Sequence, residues 1–230
     1  MKNNIAADRM GIKAELVKYA PISILAQIAI LLNNIFSNHI DIETGDGELV
    51  ALPKPPPKEK GPVENLRPIT LLPIIRKILS KITLERCTPH FNNFLPHSQH
   101  AYRNSKSTTD VVWMYRMICA KALKYDITVY VTGIDMTSAF DTIDRSKLLN
   151  ITKYIVTEDE QRMLRVLLSN TKLNVRVYGA ETQSFISNVG SPQGDSISGP
   201  LFNVYLEFSL KKVRKKSMNY ILLIIHMRQL

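Results

Sequence analysis

The sequence predicts an α+β fold, and three observations support this prediction. Strand-like runs at 48–53 and 67–72 flank a proline-rich connector, as expected for two strands that pair with each other. A second pair of strand-like runs occupies 172–178 and 183–189. Stretches with helical spacing of apolar residues lie before, between and after these pairs, so helices and strands do not alternate strictly.

Helices are predicted where apolar residues recur with helical spacing and where the chain offers a start signal. Pro73 suits the first turn of a helix, because its missing N–H would have no partner there. Ser107 or Thr108 can cap the next helix with a side-chain oxygen. The predicted helices cover 12–37 in two parts separated near Pro21, 73–86, 108–123, 145–150, 158–169 and 200–213.

The composition indicates a globular protein with an anionic partner. Apolar residues make up 45% of the 230 residues, which is typical of a chain that buries a core. Thirty basic against twenty acidic side chains give a net charge of +10. This charge favours nucleic acid over membrane as the partner, although ordinary basic soluble proteins share it. Cys87 and Cys119 have no CxxC spacing, so neither a zinc site nor a disulfide framework is predicted.

Neither secretion nor membrane insertion is predicted. The N-terminal residues lack the apolar stretch of a secretory signal. The apolar run 22–36 is interrupted by Gln27 and Asn33, and the run 220–225 is too short to cross a bilayer. The expected location is therefore intracellular, either nuclear or cytoplasmic.

The most informative segment is VYVTGIDMTSAFDTI, residues 129–143. Its β-branched residues predict a strand over 127–135 that ends at Asp135, after which the chain turns. A carboxylate at the end of a strand is held on rigid backbone and faces a cleft, as metal catalysis requires. A plain strand-to-helix turn with an aspartate cap fits the pattern equally well. The glycine- and proline-rich loop that opens the segment 190–203, GSPQGDSISGPLFN, favours the catalytic interpretation.

These motifs and several others resemble the reverse transcriptases of non-LTR (LINE-type) retrotransposons, over roughly residues 2–208. The resemblance implies an incomplete right-hand polymerase fold, with interleaved fingers and palm, helices on one sheet face and no thumb. It implies a helical lead-in over 1–45 and a fingers and palm domain over 46–230 that is incomplete at its C-terminal end. The matching motifs are KNN at 2–4, ADRMGIKAEL at 7–16, LPKP at 52–55, NLRPITLL at 65–72, QHAYR at 99–103, STTD at 107–110, AFD at 139–141 and PQGD at 192–195.

The resemblance also implies an activity and a set of site residues. The activity is RNA-directed DNA synthesis on an RNA template and a DNA primer, with deoxynucleoside triphosphates and two Mg²⁺ ions. Asp135 is the implied catalytic residue and metal ligand, assisted by the carbonyl of Met136. The implied nucleotide-binding residues are Lys54 and Arg67 for the triphosphate, Met136, Phe140 for selection against a ribose 2′-hydroxyl, and Gln193 and Gly194 in the pocket wall.

Each implied role has a structural alternative. Lys54 and Arg67 also suit an exposed basic hairpin, and Phe140 also suits a core aromatic. Asp141 is interpreted as an acceptor at a helix start rather than as a metal ligand. Asp195 stands where relatives often carry serine, and this departure bears on the shape of the pocket.

The second half of the metal site is not found in this sequence. In the family, two further carboxylates occupy a Tyr-x-Asp-Asp hairpin beyond the Pro-Gln-Gly helix. After Asp195 this chain contains no aspartate and one glutamate, Glu207. Either the chain stops before this hairpin, or a frameshift has replaced the hairpin with unrelated residues. In both cases we expect a catalytically defective chain with an open palm edge that invites self-association. The alternatives are a non-catalytic nucleic-acid-binding relic and a pseudogene product without selected function.

Overall fold

This computed structural model describes residues 7–8, 10–37, 47–53, 65–131, 133–169, 171–177 and 180–216. Within these residues the chain forms seven helices and five strands. The mixture confirms the predicted α+β class. In chain order the elements are α1 Ala14–Lys18, α2 Ile22–Ser37, β1 Gly47–Pro53, β2 Leu66–Leu71, α3 Ile74–Phe94, α4 Thr108–Lys124, α5 Arg145–Thr152, α6 Glu158–Leu168, β3 Thr171–Val177, β4 Ala180–Glu181, β5 Phe185–Ser187 and α7 Ser198–Lys216.

The five strands form one sheet around β1 and β3. β1 pairs with β2 in antiparallel register, with Val50 opposite Ile69, which confirms the predicted pairing of the first two strands. The other edge of β1 pairs with β3 in parallel register, with Glu48 opposite Asn174. β5 pairs with the first part of β3 and β4 with its last part, both antiparallel. The sheet therefore joins the two strand pairs that the sequence predicts separately.

The main apolar core lies among helices rather than on the sheet. Leu79 of α3, Leu148 of α5, Leu164 of α6 and Leu201 of α7 are each completely buried within one cluster. No strand residue among the described residues belongs to this cluster, so the expected packing of helices on one sheet face is not the source of the core. Burial of these leucines stabilises the helices, each by about 1.5–3 kcal/mol.

The N-terminal helices are anchored to the rest of the protein. The carboxylate of Asp8 accepts a hydrogen bond from the backbone N–H of Ile74 at 2.9 Å, at the first residue of α3. Pro73, the N-cap residue of α3, has no side-chain oxygen that could accept this hydrogen bond. Leu32 and Ile35 of α2 are buried in the helical core. The expected boundary at 45/46 stays a prediction, because residues 38–46 lie outside the described residues.

Local sequence signals set most of the helix starts. Ser107 caps α4 and forms a reciprocal capping box with Asp110, which confirms the predicted start of that helix. α3 is longer than predicted, because it continues past Arg86 through Pro89 to Phe94. Cys87 and Phe91 are buried on this extension, so packing favours helix where the proline would otherwise end it.

The strand predicted over 127–135 is not formed, and this prediction is wrong. The described residues from 125 to 136 contain no strand, and Val129, Val131 and Ile134 are exposed. α4, which precedes this segment, buries Val111 alone among its residues. A β-branched run forms a strand only when a partner satisfies its backbone hydrogen bonds, and none of the described strands pairs with this one.

Candidate nucleotide-binding site

A tight turn carries the AFD motif. Ser138 has φ +53°, in the left-handed region, and its carbonyl accepts from the N–H groups of Asp141 at 3.0 Å and Thr142 at 3.1 Å. The turn, residues 138–144, leads into α5, whose cap is Asp144: its side chain accepts from the N–H of Lys147 at 3.0 Å. The helix-start role expected for Asp141 therefore belongs to Asp144. Asp141 is left exposed on the turn.

The PQG loop, residues 190–195, lies directly against the AFD turn. The N–H of Gly190 donates to the Ile143 carbonyl at 2.8 Å, and the N–H of Ser191 donates to the Phe140 carbonyl at 2.9 Å. Gly190 has φ +77°, and a Cβ there would come within 2.8 Å of the Asp141 carbonyl oxygen. Glycine is required at this position because both the conformation and the close approach exclude a side chain.

The same loop also contacts strand β2. The N–H of Thr70 donates to the Gln193 carbonyl at 2.7 Å. Gly194 has φ +115°, and a Cβ there would lie 2.6 Å from the Thr70 carbonyl oxygen. The side-chain amide of Gln193 donates to both carboxylate oxygens of Asp141, at 3.1 and 3.2 Å. The loop therefore brings β2 and the AFD turn together, although more than 65 residues separate them in the sequence.

A cavity of about 310 Å³ lies at this junction. This volume is at the lower end of the range for small-molecule sites. Its wall combines apolar sheet residues with hydrogen-bonding groups of the loop and the turn, which suits a ligand with both apolar and polar parts. The lining includes Thr70, Asp141, Arg145, Leu173, Ser191 and Gln193.

A buried polar cluster connects the PQG loop to α3. The Asp195 carboxylate accepts from the Ser80 hydroxyl at 2.9 Å and lies 4.0 Å from Nε of Arg76. Burial raises the pKa of Asp195, and the positive charge of Arg76 acts in the opposite direction. Burial likewise lowers the pKa of Arg76. The aspartate that departs from the family pattern therefore connects the PQG loop to α3 rather than lining a pocket.

Phe140 is half-buried in an aromatic group. Its ring meets Tyr102 edge-on at 6.2 Å between centroids and lies 4.9 Å from Phe202 at a tilt of 35°. Both distances are within the range of favourable aromatic pairs. Phe140 also packs against the helical core. This environment fits the structural alternative for Phe140 as well as the implied role in sugar selection.

One of the two implied triphosphate cations, Arg67, lies on the first strand pair. Arg67 is half-buried on β2 and is paired across the sheet with Leu52 of β1. Thr70, which contacts the PQG loop, lies three positions after Arg67 on the same strand. Lys54 lies outside the described residues, so its implied role stays a prediction.

The surroundings of Asp135 and Met136 do not resemble a metal centre. Both are exposed on the unpaired 125–136 segment. In the described part of the chain, no three His, Cys, Asp or Glu side chains are grouped so that they could hold a metal ion. Glu207, on α7, is buried with 2% of its surface exposed. A pair of magnesium ions needs several carboxylate oxygens, so the described residues do not fit the implied two-ion site.

Four residues that shape this site were not identified from the sequence. Arg76, Ser80 and Arg145 are polar residues buried beneath the loop, and Asp8 holds the start of α3. Arg76 and Ser80 are buried on α3 together with Leu79 and Thr83, although arginine and serine are usually exposed. The only sequence signal for Arg145 is its place four residues after the AFD motif.

Comparison with known proteins agrees with this arrangement. The family model for reverse transcriptase (RNA-dependent DNA polymerase) matches residues 52–225, which include the end of β1, all of β2, the AFD turn and the PQG loop. The chain belongs to the reverse transcriptase family. The predicted resemblance to the reverse transcriptase domain of non-LTR retrotransposons is thereby confirmed.

Two relatives come from mobile elements. A probable RNA-directed DNA polymerase from transposon BS of Drosophila melanogaster is 25% identical over 190 residues, which cover 80% of this chain and 20% of that protein. An RNA-directed DNA polymerase from mobile element jockey of Drosophila funebris is 22% identical over 152 residues, which cover 65% of this chain and 17% of that protein. The chain therefore spans about a fifth of the length of these relatives.

No helix within the described ranges is both long enough and apolar enough to pass through a bilayer.

Proposed function

We propose that the described residues are the fingers and part of the palm of an RNA-directed DNA polymerase. The observation that carries this proposal is the hydrogen bond from the Thr70 N–H to the Gln193 carbonyl at 2.7 Å. It holds the strand that carries Arg67 against the loop that carries Gln193 and Gly194. Arg67 belongs to the NLRPITLL motif, whereas Gln193 and Gly194 belong to the PQGD motif. Thr70 and Gln193, one from each motif, line the same cavity, and this supports a common ligand.

The proposed ligand is a deoxynucleoside triphosphate paired to an RNA template at the end of a DNA primer. The guanidinium of Arg67 presents a planar fork that suits phosphate oxygens, and the ammonium of Lys54 supplies a mobile charge. Glycine at position 194 lets the loop backbone approach a ligand closely. The net charge of +10 favours the nucleic-acid strands on which such a polymerase acts.

We further propose that this chain alone does not catalyse nucleotide addition. Asp135 is exposed and is not grouped with two further ligands in the described part of the chain. Beyond Asp195 the sequence supplies Glu207 as its one carboxylate side chain, and that residue is buried in a helix. Loss of a metal site typically removes several orders of magnitude of rate. Metal-dependent chemistry would therefore require carboxylates beyond those that the structure describes.

Primer extension tests the catalytic part of this proposal. The chain is incubated with an RNA template, an annealed DNA primer, deoxynucleoside triphosphates and Mg²⁺ or Mn²⁺. We expect no extension. Extension that disappears in the Asp135→Ala variant would overturn the proposal, because it would mean that this chain completes the metal site.

Nucleic-acid binding tests the rest of the proposal. We expect weak, sequence-independent binding whose logarithm falls linearly with the logarithm of salt concentration. Replacing Lys54 and Arg67 by Ala should lower the affinity and reduce the slope by roughly one to two phosphate contacts. The control is Lys81→Ala with Arg165→Ala, which removes two exposed cations from α3 and α6. An unchanged slope in the first variant would contradict the proposed contact surface, and no salt-dependent binding at all would favour a relic without selected function.

We also propose that the chain self-associates through its exposed apolar surface. α4 and the 125–136 segment expose Trp113, Leu123 and Tyr130, and the segment pairs with none of the described strands. Unpaired apolar backbone of this kind invites intermolecular pairing. Residues 218–230 lie outside the described residues, and deletion of them tests whether they cover this surface. Lower solubility of the deleted chain would support such cover, whereas a sharp monomer peak in size-exclusion chromatography would contradict the proposed self-association.

A further inference from the structure

Arg145 makes an unusual set of hydrogen bonds. It is the first residue of α5, directly after the AFD turn, and only 6% of its surface is exposed. Its Nε donates to the Gly190 carbonyl at 2.7 Å. One terminal nitrogen donates to the carbonyls of Leu168 at 2.8 Å and Ser187 at 2.7 Å. The remaining partners are the Thr171 hydroxyl at 3.2 Å and the Val189 carbonyl at 3.3 Å.

None of these five acceptors carries a charge. A buried arginine is usually paired with a carboxylate, because an unpaired buried charge is costly. Here burial lowers the pKa of Arg145 to about 10, with a smaller effect from the nearby charge of Arg76. A guanidinium suits this position because its rigid fork of five N–H donors can reach carbonyls from several directions at once.

The acceptors belong to two different parts of the chain. Ser187, Val189 and Gly190 form the end of β5 and the start of the PQG loop, whereas Leu168 and Thr171 form the joint between α6 and β3. Arg145 itself is attached to the AFD turn through Asp144. One side chain therefore fixes the start of the PQG loop relative to the turn that it contacts.

We infer that Arg145 is a positioning residue that holds the PQG loop on the AFD turn and thereby shapes the pocket for the nucleotide. The pocket assignment rests on the proposed function, whereas the effect on the loop does not. Gln193 and Gly194 lie three and four residues after Gly190, so a loop released at Gly190 would also move away from Asp141 and Thr70. Arg145 also lines the cavity, but its inferred contribution to nucleotide affinity is made through the position of the loop.

The test compares Arg145→Lys with a matched control, Arg165→Lys, which changes an exposed arginine on α6. Lysine keeps the charge but has one nitrogen and at most three donors, so it cannot reach all the acceptors. Amide hydrogen exchange is measured on peptides covering 187–195 and, for comparison, on peptides from α6 and α7. Affinity for a fluorescent deoxythymidine triphosphate is measured on the same samples.

We expect Arg145→Lys to accelerate exchange roughly tenfold or more in 187–195, where two or more hydrogen bonds are lost. Exchange in α6 and α7 and all values for the control should stay as in the wild type. Exchange in 187–195 that matches the wild type, or that rises equally in every helix, would overturn the positioning role. Because Arg145→Lys could unfold, Thr171→Val provides a milder variant that removes one acceptor and should accelerate the same peptide to a smaller extent.

Nucleotide affinity separates this inference from the proposed function. Weaker binding in Arg145→Lys and not in Arg165→Lys supports the effect on the pocket, and equal binding in both contradicts it. If the wild type binds no nucleotide, the proposed function fails, and the exchange data alone decide the positioning role. Rescue is a final criterion: methylguanidinium at millimolar concentration should restore slow exchange in Arg145→Ala, whereas methylammonium should not.

Discussion

The strand pair β1–β2 and the 125–136 segment have similar sequences and different structures. Both contain runs of β-branched and apolar residues, around Val50 and Ile69 in the pair and around Val129 and Ile134 in the segment. The two strands of the pair are in antiparallel register over six residue pairs, and the other edge of β1 pairs with β3. The segment forms no strand in the described residues, and its apolar side chains are exposed.

The difference shows that strand propensity acts only where a partner is present. β1 has a partner on each side, and the PQG loop adds a hydrogen bond to the backbone of β2 at Thr70. The segment from 125 to 136 has the intrinsic preference without the pairing, and preference alone amounts to about 1 kcal/mol at most per residue. The residues with an implied nucleotide role on β2 and the PQG loop lie on hydrogen-bonded backbone, whereas Asp135 is exposed on a segment that pairs with none of the described strands.

The largest expected effect is a difference in thiol reactivity between Cys87 on the core helix α3 and Cys119 on α4. Cys87 is fully buried on α3, and burial, with the charge of Glu160, raises the pKa of its thiol to about 12. Cys119 is half-buried on α4. In iodoacetamide labelling at pH 8, we expect Cys119 to react about a thousandfold faster than Cys87, because the thiolate is the nucleophile. Comparable labelling rates would contradict the burial of Cys87 in the core.

A second prediction concerns the carboxylate beneath the PQG loop. Asp195→Ala leaves the Arg76 charge and the Ser80 hydroxyl without their buried partner, so we expect the free energy of unfolding to fall by about 3 kcal/mol. The control is Asp159→Ala, which breaks an exposed ion pair with Arg162 and should cost less than about 1 kcal/mol. Urea denaturation measures both. Equal losses would contradict the view that the loop is fastened to α3.

The pH dependence of stability provides a further check on Asp195. A carboxyl whose pKa is raised by folding binds its proton more tightly in the folded state. Its contribution to stability is therefore complete below its unfolded pKa and is lost as the pH rises through its folded pKa. Asp195→Asn should flatten this part of the profile of unfolding free energy against pH. A profile identical to that of the wild type would show that the pKa is not raised.

The third prediction compares two glycines, one from each region. Gly194→Ala places a Cβ 2.6 Å from the Thr70 carbonyl at φ +115°, so we expect a loss of about 2 kcal/mol and release of the loop from β2. Gly133→Ala meets no atom within 4 Å and should change stability by less than about 0.5 kcal/mol. Thermal unfolding followed by circular dichroism measures both changes. A costly Gly133→Ala would mean that the 125–136 segment is more constrained than the structure indicates.

The smallest expected effect is on association between chains. Val129→Lys with Ile134→Lys should weaken self-association by a factor of roughly ten, because charges on an exposed strand-like edge oppose pairing. Ile22→Lys, on the exposed face of α2, is the control for removing an apolar side chain elsewhere. Sedimentation equilibrium measures the association constants. An equal effect of the control would assign the association to general surface hydrophobicity rather than to this segment.

The sequence by itself determined the local elements whose signals are local. The Ser107 cap, the two N-terminal helices separated near Pro21 and the β1–β2 pairing follow from capping residues, proline and β-branched runs. The family motifs also identified Gln193 and Gly194 as residues of one loop, which the structure places beside Asp141 and β2. Such features depend on neighbours along the chain, so a linear pattern carries them.

Tertiary structure alone decided where buried polar groups and unpaired backbone occur. Arg145 and Arg76 look like surface residues in the sequence, and only the packing of α3, α5 and the PQG loop encloses them. The extension of α3 through Pro89 depends on the burial of Cys87 and Phe91. Conversely, the predicted strand at 127–135 fails because pairing is a contact between distant segments. Burial and strand pairing are properties of two surfaces that meet, and a sequence pattern describes only one of them.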